Sequence, residues 1–137
     1  MKVLMAEDIE SAREQLMDQI GEVENLEVRF VCQDVMSLFQ TASAWRPDVA
    51  ILDIRMRGMI ALGVLETLKM IWPEMAVVVA AFNMDTHYRA TFLRQGADCV
   101  FDKSLEWSKL TAFLKGYRGG AKVAMEAEMP PIEDLLK

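Results

Sequence analysis

Histidine is almost missing from this chain, with one residue in 137, and cysteine is scarce, with two. His87 falls on no metal-ligand spacing and reads as a solvated helix residue. Cys32 and Cys99 lie far apart without a C-x-x-C pairing, which excludes a disulfide framework. They read as small buried hydrophobes in a reducing cytoplasm. Positive charge is also short: 15 Lys and Arg stand against 21 Asp and Glu, a net charge of −6. That excludes the basic face a nucleic-acid binder needs to displace counterions from phosphates. No apolar run approaches the ~20 residues that span a bilayer. Glu7 and Asp8 interrupt the opening apolar run, so it lacks the form of a signal peptide. The expectation is a cytoplasmic protein with neither a membrane nor nucleic acid as a direct partner.

What the chain does hold is apolar residue, 53% of the total, enough for a well-buried sheet in one domain. Strand and helix signals alternate along it. Short apolar runs at 2–6, 49–53, 76–81 and 98–102 read as buried strands. Leu26, Val28 and Phe30 alternate with Glu27 and Arg29, as an edge strand does. Between these runs, Leu16 and Ile20, then Leu38 and Ala42, then Leu65 and Leu68 recur at helical spacing, with Val23 extending the first stripe. Asp34 can cap the second helix, Pro73 follows the third, Gly96 stops the fourth at residues 85–95, and Ser104 can cap the fifth, which runs to about Tyr117. Five βα units imply a parallel sheet with helices on both faces, because crossovers are right-handed. The expected strand order is 2-1-3-4-5, with the switch point between strands 1 and 3.

Those two strands end in charge. Val3–Ala6 runs into Glu7 and Asp8, and the third strand ends in Asp53, while the fifth leads through Asp102 to Lys103. In an open α/β sheet these strand ends share one edge, where ligands bind. Two like charges 4 Å apart repel by about 4 kcal/mol at an effective dielectric of 20, so packed carboxylates call for a cation. Mg²⁺ suits them, held by Glu7 and Asp8 together with waters and a phosphate oxygen. Asp53 can then attack a phosphoryl group as a carboxylate nucleophile. Lys103 would neutralise the oxygens of the transferring group.

The runs MKVLMAED, PDVAILDIRM and RQGADCVFDK resemble, in order and spacing, the receiver domain of two-component response regulators. The resemblance covers residues 2–118, and the interval from Asp8 to Asp53 and the run GAD-x₄-K carry its specificity. It implies a flavodoxin-like (βα)5 fold over 1–118, followed by a short acidic tail at 119–137 expected to be flexible. It implies that Asp53 is the phosphoacceptor, charged by a histidine kinase or phosphotransfer protein. Glu7, Asp8, Asp53 and the backbone carbonyl of Arg55 would surround Mg²⁺, and Lys103 would bind the phosphoryl group. The family also uses the surface of helix 4, strand 5 and helix 5, here about 85–117, for homodimers and downstream targets.

Several family features are absent. The switch hydroxyl at the end of strand 4 is replaced by Ala81, and the switch aromatic three residues before Lys103 by Val100. The loop after the acceptor reads Met56-Arg57-Gly58-Met59-Ile60-Ala61 instead of the Met-Pro-x-Met-Asp-Gly common in the family. Ser104 stands where a proline usually follows the lysine. Phe82, just past Ala81, is the candidate substitute for the missing ring. The leading reading is a phosphorylatable switch or relay whose readout runs through the apolar loop at 55–61. A pseudo-receiver making constitutive protein contacts is the alternative. A phosphohydrolase is disfavoured, because Arg55 stands where its acid/base carboxylate would be.

Overall fold

The computed structural model describes residues 1–7, 10–31, 34–54 and 61–117. Five strands alternate with five helices: β1 (Lys2–Ala6), α1 (Glu10–Ile20), β2 (Glu27–Val31), α2 (Val35–Trp45), β3 (Val49–Asp53), α3 (Ala61–Ile71), β4 (Ala76–Ala81), α4 (Thr86–Arg94), β5 (Cys99–Asp102) and α5 (Trp107–Gly116). All pairings are parallel and the order is β2-β1-β3-β4-β5. Every residue of the central β3 and β4 is buried, whereas β2 alternates exposed and partly covered positions. Strands apolar on both faces must be covered on both faces.

The period of two divides the core. Leu4, Ala50, Leu52, Val77 and Val79 face α2, α3 and α4 through Leu38, Leu65, Leu68 and Phe92. Val3, Met5, Ile51, Val78 and Phe101 face α1 and α5 through Leu16, Ile20, Leu110 and Leu114. Val23 lies past the end of α1 and packs against this second cluster from a turn. Trp45, Trp72 and Trp107 are buried, more deeply than rings at helix ends usually are. Arg29 and Lys2 lie over the Trp45 ring, Arg46 over Trp72, and Phe101 packs on Trp107. Long cationic side chains cover aromatic surface while keeping their heads wet.

Asp34 caps α2 as its position in the sequence implies, accepting from the Ser37 N–H at 2.8 Å. Asp85 does the same for α4 through the Tyr88 N–H. Gly96 ends that helix at φ +109°, a conformation other residues adopt only under strain. Ser104 is not a cap. Helix α5 begins at Trp107, and the Ser104 N–H donates to Asp102 Oδ1 at 2.7 Å. The Asp102 carboxylate, one position before the lysine, engages both the N–H and the side chain of Ser104 in a local turn. No helix among the described residues is long and apolar enough to cross a membrane.

Candidate functional site

Strand register brings the charged ends together. Ala6 pairs with Leu52 and Asp53 with Ala80, so Glu7 and Asp53 emerge at the same level of neighbouring strands. Ala81 pairs with Asp102, and the Lys103 N–H continues the ladder to Ala81 O at 2.9 Å. Glu7 is held in turn by its N–H to Val31 O and by Arg13, whose Nε donates to Glu7 O at 3.0 Å.

Across this edge the Lys103 ammonium donates to both Glu7 Oε2 and Asp53 Oδ2. All three residues are buried, with relative exposures of 1%, 4% and 2% for Glu7, Asp53 and Lys103. With all three ionised, two carboxylates and one ammonium leave the described cluster one charge negative, in a place where water screens little. Burial pushes the Glu7 carboxyl above its ordinary range, and Asp53 adds to the push while Lys103 opposes it. The Phe82 ring lies against the ammonium, its centroid 5.4 Å from Lys103 Nζ.

The donor chemistry fits a hard divalent cation, which takes carboxylate oxygens and would cancel the residual negative charge. Among the described residues no group of three or more His, Cys, Asp or Glu could hold a metal. Glu7 and Asp53 therefore supply only part of the expected set. Asp8 and the Arg55 carbonyl lie outside the described residues, as do Cys32, Ile9, the loop at 55–60 and the tail at 118–137.

Ala81 and Val100 are both buried, at 1% and 5% exposure, and neither carries a hydroxyl or a ring. Beside Ala81 a groove of about 560 Å³ opens, lined by Ile54, Leu62, Phe82, Met84, Tyr88 and Phe92 among others. His87 is exposed at its rim on α4. Cys99 is partly covered, not fully buried as expected, and burial raises its thiol to about 11. It packs against the second core cluster from its margin.

Three side chains near the lysine carry roles the sequence did not reveal: Asp102, Glu106 and Arg89. Asp102 accepts from the N–H groups of Asn83, Met84 and Ser104. Burial alone would raise its pKa, but the Ser104, Met84 and Asn83 N–H donors reverse this and hold it below the ordinary carboxylate value. Glu106 accepts from the Asp102 N–H and from Arg89 Nη2, and pairs with Lys109. Burial works against its ionised form, but Lys109 and Arg89 outweigh it and bring the carboxyl to about 2. The Asp-x-Ser spacing at 102–104 signals a local turn. Nothing local connects Glu106 to Arg89, which is on another helix.

A family profile described as the response regulator receiver domain matches residues 3–115. No curated protein matches the chain in sequence. Solved structures do match in fold. A signal receiver domain assigned to a LuxO repressor protein of Vibrio parahaemolyticus is 19% identical, with a TM-score of 0.72 over 99% of this chain and 96% of that one. NtrX from Brucella abortus is 21% identical, with a TM-score of 0.75 over 93% of this chain, which spans only 29% of NtrX. The phosphorylated cyanobacterial phytochrome response regulator RcpA is 22% identical, with a TM-score of 0.67 over 84% of this chain and 89% of its own. With the family profile matched over residues 3–115 and the sheet in the order β2-β1-β3-β4-β5, this chain belongs to the response regulator receiver domain family and has its flavodoxin-like fold.

Proposed function

We propose that this receiver takes a phosphoryl group onto Asp53 from the phosphohistidine of a histidine kinase or phosphotransfer protein in the cytoplasm. The observation that carries this reading is the placement of Asp53. It ends a fully buried central strand and is ion-paired to Lys103 beside Glu7. In the transfer, an Asp53 carboxylate oxygen forms a bond to phosphorus while the bond from phosphorus to the donor nitrogen breaks. The electron pair stays with the imidazole, whose other ring nitrogen carries a proton, so that it leaves as neutral histidine. Mg²⁺, held by Glu7 and Asp8 and by the Arg55 carbonyl, would supply positive charge to the phosphoryl oxygens. Lys103 would exchange its contact with Asp53 for one with the phosphoryl group. Chemistry of this kind needs positioning and charge more than proton transfer, which suits a site containing no histidine.

The signal that follows is proposed to leave by an unusual route. Ala81 offers no hydroxyl and Val100 no ring, so the helix 4–strand 5–helix 5 face lacks the parts that would let it sense the phosphoryl group. The segment 55–61, which follows the acceptor strand in sequence and carries Met59 and Ile60, is the proposed contact for a downstream protein. A pseudo-receiver acting through constitutive contacts draws support from the same two residues. Acetyl phosphate with Mg²⁺ separates the readings by intact mass. One added phosphoryl group in the wild type and none in Asp53→Asn is the expected result. Labelling that survives the substitution would move the acceptor elsewhere, and none in the wild type would leave the pseudo-receiver.

A further inference from the structure

The loop after β5 has to aim a flexible lysine into a buried pocket without a proline to stiffen it. Its backbone N–H groups nonetheless all have acceptors. The Asp102 N–H donates to Glu106 Oε1 at 2.9 Å, the Lys103 N–H to Ala81 O at 2.9 Å, and the Ser104 N–H to Asp102 Oδ1 at 2.7 Å. The Leu105 and Glu106 N–H groups both donate to Asp102 O, at 3.2 and 2.7 Å. Every N–H from Asp102 to Glu106 thus has an acceptor, and three of the five use Asp102 itself. The peptide bond between Lys103 and Ser104 is trans.

Two further ties fix this loop to its surroundings. The Asp102 carboxylate also accepts from the N–H groups of Asn83 at 3.2 Å and Met84 at 2.9 Å, which anchors it to the turn between β4 and α4. Arg89 on α4 donates from Nη1 to Val100 O at 3.0 Å and from Nη2 to Glu106 Oε1 at 2.6 Å. One guanidinium therefore bridges the strand before the lysine and the carboxylate after it. Its planar fork suits such two-point contact.

From this geometry, and resting on the reading of Asp53 as acceptor, we propose that Asp102, Glu106 and Arg89 form a clamp that positions Lys103 for phosphoryl transfer. The clamp does the work of the missing proline. A lysine side chain loses considerable rotamer freedom when its ammonium is held, and a loop already fixed at both ends reduces the further ordering required. Small misplacements of a charge-stabilising group cost rate steeply, up to about 100-fold for 1 Å. The clamp's hydrogen bonds run to Asn83, Met84, Val100, Ser104 and one another. Its loss should slow phosphoryl transfer without weakening the metal site.

The test compares Glu106→Ala, Asp102→Ala, Arg89→Met and the conservative Glu106→Gln with the wild type. Initial rates of acetyl phosphate labelling are measured across a Mg²⁺ titration. The expected result is a saturating rate lowered about 10-fold or more in the three disruptive variants, with the half-saturating Mg²⁺ concentration unchanged. Glu106→Gln, which keeps an acceptor for the Asp102 N–H, should recover most of the rate. Wild-type rates in all variants would overturn the clamp while leaving Asp53 as acceptor. So would a Mg²⁺ midpoint that shifts along with the rate, or a Gln variant as slow as the Ala variant. A second readout separates this from failure of the acceptor reading itself. In ¹⁵N-labelled protein without phosphoryl donor, the ordered Lys103 ammonium resonance should be present in the wild type and broadened or lost in Glu106→Ala. An unchanged ammonium signal overturns the clamp even if no variant, nor the wild type, accepts a phosphoryl group.

Discussion

Glu7 and Glu106 both touch a cation, yet folding moves their protons in opposite directions. Burial and Asp53 raise Glu7, so its contribution to stability is fullest below its unfolded value and is lost as pH rises through the raised folded value. Glu106 falls from 4.5 to about 2, so its contribution is complete above pH 4.5 and is lost as pH falls toward 2. Urea unfolding of the wild type and Glu106→Gln as a function of pH should therefore show the wild type losing its advantage between pH 4.5 and 2. An advantage that stayed constant through that window would contradict the assignment. At this scale Glu7, Asp53 and Lys103 were legible because each ends or follows a short apolar run, where a charge has to find a partner. Asp102, Glu106 and Arg89 were not, because the contacts that tie them to α4 and β5, from Met84 to Asp102 and from Arg89 to Val100 and Glu106, are made only once the sheet has formed.

Helices and strands carry their own punctuation, read with uneven success. Asp34 declared itself by preceding an apolar stripe, and its side chain indeed meets the Ser37 N–H. Ser104 looked equivalent and is not, because Asp102 two residues earlier captures its backbone before α5 begins. A cap is a competition among nearby acceptors, and sequence spacing alone does not rank them. Gly96 was the clearest stop signal, and its φ of +109° explains why. A Cβ there would meet Lys69 Cγ at an ordinary 3.6 Å, so the backbone conformation and not crowding sets the cost. Gly96→Ala is expected to destabilise by about 1 kcal/mol or more in urea or thermal unfolding. A neutral effect would mean that the turn between α4 and β5 relaxes freely.

Over the whole molecule, strand order and layering followed from alternation and handedness alone, since five right-handed crossovers leave few arrangements. What alternation cannot encode is which parts are free to move. Lys103 stands between a buried pocket and a clamp that joins α4, β5 and the start of α5. Ala81 and Val100, buried against the other side, add no group that distinguishes the charged acceptor from the empty one. A ligand shifts a conformational equilibrium only through differential contacts with its two states. The response to a phosphoryl group on Asp53 should therefore remain close to the acceptor. Beryllofluoride with Mg²⁺, which mimics that group, provides the most direct measurement through backbone amide chemical shifts. Relative to Mg²⁺ alone, the expected result is large shifts around Asp53 and along residues 55–61, small ones across residues 85–100, and none in Asp53→Asn. Large contiguous shifts across residues 85–100 with a quiet 55–61, or shifts that persist in Asp53→Asn, would contradict a clamped receiver with Asp53 at its centre.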